Sequence, residues 1–161
     1  MTDNYIGIMI ESLRRKKDVL ADILKLSEEQ SLLLDDPNLE PDTFEKNVNR
    51  KAALIDKLEQ LDTGFESLYD KVKEELESNR DIHKEQIRQM QELIRALTEL
   101  NMQIQATEAR NKEKATAKFA YIRQQAKEIR SSQKIVKEYY NNMMHKAYNE
   151  PHFLDNKRPH R

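Results

Sequence analysis

The sequence predicts an all-α fold, an antiparallel three-helix bundle or coiled coil whose very long third helix extends beyond its partners. Three observations predict it. Apolar residues recur at alternating steps of three and four along most of the chain, which keeps them on one helical face. Glycine occurs twice, at Gly7 and Gly64, too rarely for strand-and-turn architectures or a Gly-rich phosphate loop. Alanine, leucine, glutamate, lysine and glutamine, all good helix formers, dominate the composition. With no tryptophan and 6% aromatic residues, the core is expected to be aliphatic and thin.

The first helix is expected from Asp3 or Asn4 to Leu34. Its stripe is Ile6, Met9, Ile10, Leu13, Leu20, Ile23, Leu24 and Leu33, widened by Leu26 and Leu32. The segment DDPNLEPD (35–42) ends it, because Pro37 and Pro41 each restrict the preceding residue and aspartates favour turns. A second helix is expected over about 43–61. Asp42 is positioned to cap it, with Glu45 three residues on, and its stripe is Phe44, Val48, Lys51 or Ala52, Ile55 and Leu58. Asp62-Thr63-Gly64 reads as a short turn.

The third helix is expected over about 64–146, free of proline and glycine from Phe65 to Met144. Its stripe runs Phe65, Tyr69, Val72, Leu76, Met90, Leu93, Leu97, Leu100 and Ile104. It resumes at Ala115, Phe119, Ile122, Ala126, Ile129, Val136 and Tyr140. At 1.5 Å per residue such a helix would span roughly 120 Å, against roughly 45 and 30 Å for the first two. Short connections make the three antiparallel neighbours, so beyond about residue 105 the third should outrun its partners. Thr107 and Asn111 interrupt the stripe, and a bend near 107–114 is compatible with them. Residues 1–148 therefore read as one elongated helical domain and 149–161 as a flexible tail with Pro151 and Pro159. In the tail, Phe153-Leu154 either docks into a groove or closes the helix end.

Composition excludes several function classes. The chain has no cysteine, hence no disulfide, thiolate metal site or thiol catalysis. No apolar run reaches the length of a membrane span, so no integral membrane segment is expected. At the N-terminus the basic cluster follows the apolar run, the reverse of a secretory signal, and a cytoplasmic location is expected. His83, His145, His152 and His160 have no carboxylate at ligand spacing, and no Glu-x-x-His occurs. No metal, no cofactor and no enzymatic activity is expected. Net charge is −1, but residues 1–109 carry −9 and residues 110–161 carry +8. The basic residues Lys112, Lys114, Lys118, Arg123, Lys127, Arg130, Lys134 and Lys137 are interleaved with Glu113 and Glu128 around an apolar seam. That pattern reads as a solvated helix face, and no nucleic-acid partner is expected. An apolar stripe that outlasts its bundle needs a partner: a second copy, a fold-back of the chain, or a client helix.

The opening YIGIMIESLRRKKDVLADILKLSEEQ, the stretch FEKNVNRKAALIDKLEQLDTGFESLYDKVKEEL, the long third helix and the tail PHFLDNKR together resemble the FlgN-type flagellar export chaperones. Within the second stretch, Lys51, Leu54, Ile55, Leu58, Leu61 and Phe65 occupy the family's pattern of an interior lysine followed by apolar positions. The resemblance implies a cytoplasmic chaperone of flagellar type III secretion. It would bind the C-terminal amphipathic helices of hook–filament junction proteins, prevent their premature assembly and deliver them to the cytoplasmic domain of the export gate. Client binding then falls on Phe119, Ile122, Ala126, Ile129, Val136 and Tyr140. Tyr139, Tyr140 and Tyr148 are the candidates for contact with the gate. The sister FliT-type chaperones, which bind the filament cap protein, are similar short helical bundles, and a structural homodimeric coiled coil is the remaining alternative.

Overall fold

The computed structural model describes residues 2–125 and 136–142. They form α1 (Thr2–Asp35), α2 (Pro41–Ser78), α3 (Lys84–Gln125) and a short helical segment, α4 (136–142). The chain is all-α over these residues, and no helix in them is long and apolar enough to cross a membrane.

α2 begins two residues earlier than expected, at Pro41, and Asp42 lies inside its first turn instead of capping it. Glu40 occupies the N-cap position with extended backbone and makes no side-chain cap hydrogen bond. Pro41 follows in the first helical turn, where its missing N–H is no loss. The preceding turn is held by the Asn38 N–H donating to Asp36 Oδ1 at 2.8 Å.

The largest departure from the sequence expectation is the position of the second break. Asp62-Thr63-Gly64 is not a turn, and α2 runs straight through it. A helical glycine is unfavourable by about 1 kcal/mol relative to alanine, less than burial of Phe65, Val72 and Leu76 in register returns. The break comes at 79–83 instead. There the Asn79 N–H closes on the Glu75 carbonyl at 2.9 Å, and the Asn79 side-chain amide donates to Glu75 Oε1. An asparagine side chain that competes for local hydrogen bonds ends this helix where glycine does not.

Moving the break by some twenty residues changes the bundle. Lys16 meets Asp62 and Ser27 meets Lys51, so α1 and α2 are antiparallel. Glu108 meets Ser27, Lys114 meets Ser31 and Lys118 meets the Asp36 carbonyl, so α3 runs parallel to α1. The three helices are near equal in length, and α3 is partnered well past residue 105. Ala115 and Phe119 are buried, and the Phe119 ring packs edge-on against Phe44 with centroids 5.6 Å apart. α3 is also continuous through 107–114.

The core follows a seven-residue rhythm. In α1 it is Ile6, Leu13, Leu20, Ser27 and Leu34; in α3 it is His83 just before the helix, then Met90, Leu97, Ile104 and Asn111. Apart from His83 at the turn, the rhythm is apolar through Leu20 and Ile104, turns polar at Ser27 and Asn111, and is apolar again at Leu34.

Candidate functional site

Where the seam turns polar, the three long helices contribute buried polar side chains: Ser27 and Gln30 from α1, Asn47 and Lys51 from α2, and Glu108 and Asn111, with neighbouring Thr107, from α3. Lys51 and Glu108 form an ion pair with both side chains essentially withdrawn from solvent. Ser27 Oγ donates to the same Glu108 oxygen at 2.5 Å and accepts from Lys51 Nζ at 3.3 Å. Lys51 also donates to Gln30 Oε1 at 3.1 Å. Gln30 Nε2 donates to Asn47 Oδ1 at 3.0 Å, and Asn47 in turn donates to the Leu26 carbonyl at 2.9 Å. Asn111 donates to the Ser27 carbonyl at 2.8 Å. Burial pushes the Lys51 pKa below the ordinary lysine value, against the upward pull of the adjacent Glu108 carboxylate.

α4 closes this layer. Tyr140 donates its hydroxyl proton to Gln30 Oε1 at 2.8 Å. The Tyr139 ring lies 4.9 Å from Lys51 Nζ, a cation–π contact, and packs edge-on against Tyr140. Val136 is buried beside them. Burial, helped by the Glu108 charge, raises both phenol pKa values well above that of free tyrosine. Three buried polar atoms have no hydrogen-bond partner among the described residues: Glu108 Oε1, Asn111 Oδ1 and the Tyr139 hydroxyl.

The residues expected from sequence to bind a client fall into three groups. Phe119 is buried against Phe44, while Ile122, one turn further, is half-buried against the core. Val136 and Tyr140 are buried within the same chain. Ala126 and Ile129 lie outside the described residues. Of the tyrosines expected to meet an export gate, Tyr139 and Tyr140 are buried, and Tyr148 lies outside the described residues. Sequence reasoning passed over Tyr121, which is 64% exposed at the end of α3. The fold-back of Val136 and Tyr140 was one of three uses foreseen for the stripe, but its target was not. Extending the three-four steps of α1 past Ile23 reaches Ser27 and Gln30, and that polar continuation was the available signal.

His83 is buried and hydrogen-bonded to Glu75 Oε2 at 2.9 Å, a seam residue at the α2–α3 turn. That contact, with help from Asn79, lowers the Glu75 pKa. No group of three His, Asp or Glu side chains among the described residues is arranged to hold a metal ion. The other histidines, His145, His152 and His160, lie outside them.

A family model described as FlgN protein matches residues 1–145. The chain belongs to the FlgN family. It is therefore a flagellar type III export chaperone, a non-catalytic class of protein. No significant match was found among curated proteins or among solved structures. In this FlgN-family chain the buried layer stands where the sequence had offered Lys51 or Ala52 for one stripe position. Lys51 is the inward residue and Ala52 faces solvent.

Proposed function

We propose that this chaperone acts in the cytoplasm on the hook–filament junction proteins, binding their C-terminal amphipathic helices, preventing premature assembly and delivering them to the cytoplasmic domain of the export gate. The observation that carries the reading is the far end of α3. Lys118 reaches the end of α1 at the Asp36 carbonyl, and the helix continues to Gln125 with Ile122 only half-buried and Tyr121 exposed. An apolar face that outlasts its neighbours suits helix-in-groove recognition of an amphipathic segment. The client surface proposed comprises Phe119, Ile122, Ala126, Ile129, Val136 and Tyr140, of which Phe119, Val136 and Tyr140 are buried in the free chain and must be uncovered for the client to reach them. Gate contact is assigned to the tyrosines of this half, Tyr139, Tyr140 and Tyr148, with Tyr121 added because it is the one exposed tyrosine among the described residues.

The test is titration of the full chain with a peptide spanning the C-terminal helix of a junction protein, followed by light scattering. A defined heterocomplex is expected, and replacing Ile122 and Ile129 by Asp should abolish it while circular dichroism stays helical. A stable homodimer indifferent to the peptide would replace this reading with that of a structural dimer.

A further inference from the structure

α4 spends on its own bundle two residues assigned above to the client, Val136 and Tyr140. Among the described residues this seven-residue segment buries Val136 and the Tyr139 and Tyr140 rings, with one hydroxyl hydrogen bond to Gln30 and one cation–π contact to Lys51. The docked arrangement is also incompletely satisfied, because the Tyr139 hydroxyl is buried without a partner among the described residues, as is Glu108 Oε1 in the layer that it covers. A buried polar group left unpaired disfavours the state that buries it. The structure thus combines an apolar and aromatic face, turned inward, with a docking site that leaves buried polar atoms unpaired among the described residues.

We propose that α4 is a latch: its docking on the Gln30–Lys51–Glu108 layer and its engagement with a client helix are mutually exclusive. This rests on the reading of function above. The partner fitting the released face is an amphipathic helix with an apolar stripe, which would contact Val136 and the Tyr140 ring. Apparent client affinity is reduced by the fraction of molecules in which α4 is docked, so any change that loosens docking without altering the apolar face tightens client binding.

The adjacent tyrosines make opposite predictions. Tyr140→Phe removes the hydrogen bond to Gln30 and keeps the ring, so it loosens the latch. Tyr139→Phe removes a hydroxyl that has no partner among the described residues and keeps the ring over Lys51, so it tightens the latch. With the junction-protein peptide as probe and the full chain in each case, Tyr140→Phe should bind about fivefold more tightly, the equivalent of one neutral hydrogen bond. Tyr139→Phe should bind several-fold more weakly. Amide exchange across 136–142 in the free chain should be faster in Tyr140→Phe and slower in Tyr139→Phe. If the wild type binds the peptide but both variants bind equally well, or Tyr140→Phe binds more weakly, the latch is overturned and the chaperone reading stands. If no form binds the peptide, the reading of function fails and the proposal falls with it.

Discussion

Lys51 on α2 and Glu108 on α3 are joined as an ion pair inside the bundle, 57 residues apart in sequence and with neither side chain reaching solvent. Removing two charges from water is costly, and the pair persists because Ser27 and Gln30 supply further hydrogen bonds. Breaking it from one side strands the other charge. Lys51→Met or Glu108→Gln should each lower the unfolding free energy by about 3–5 kcal/mol. The double variant Lys51→Met, Glu108→Leu should recover most of that loss. Urea unfolding of the three variants measures it, and losses that simply add would show that the two residues do not act as a pair.

Gly64 lies within α2 with nothing within 4 Å of where a Cβ would stand. Gly64→Ala should therefore raise stability by about 0.5–1 kcal/mol. A chain turning at 62–64 would lose stability on the same substitution, so the sign of the shift in thermal midpoint separates the two architectures.

Phe119 tests how far α3 is held. Its ring is buried edge-on against Phe44, and Phe119→Ala should cost about 3–5 kcal/mol, as for a core aromatic. A helix projecting freely beyond residue 105 would lose almost nothing.

The buried phenols impose an alkaline limit. Both Tyr139 and Tyr140 have pKa values raised in the folded chain, so they stay protonated where an unfolded or undocked chain would ionise. Their contribution is intact below the ordinary tyrosine pKa of about 10 and is lost above it, at about 1.4 kcal/mol per pH unit for each tyrosine. α4 should leave the bundle first as pH climbs past that value. Tyrosinate absorbance should show a late phase that shrinks in the Tyr139→Phe, Tyr140→Phe double variant, leaving the part due to Tyr69, whose pKa is also raised by burial and by Glu77 and Asp70.

The helical class, the Asp35–Pro41 break and most apolar seam positions were legible because periodicity and proline act locally. The second break was not. Gly64 is a weak helix breaker that tertiary packing of Phe65 overrode, while Asn79 ends α2 through side-chain hydrogen bonds that no apolar pattern announces. The polar layer was half legible: Asn111 and Lys51 were read as stripe positions, but Ser27, Gln30 and Glu108 look like surface residues until three helices are superposed in register. Fold-back of Val136 and Tyr140 depends on contacts more than a hundred residues apart in sequence, beyond the reach of any local rule.

An odd number of long helices has a directional consequence. Because α3 is parallel to α1, the start of α1 and the 79–83 turn share one pole of the rod, while the end of α3 emerges at the other, roughly 50 Å away at 1.5 Å per residue. The molecule is thus a rod with two structurally distinct ends. A surface tether or fluorophore attached near residue 4 leaves the opposite pole, which holds the end of α3 where client contact is proposed, unobstructed.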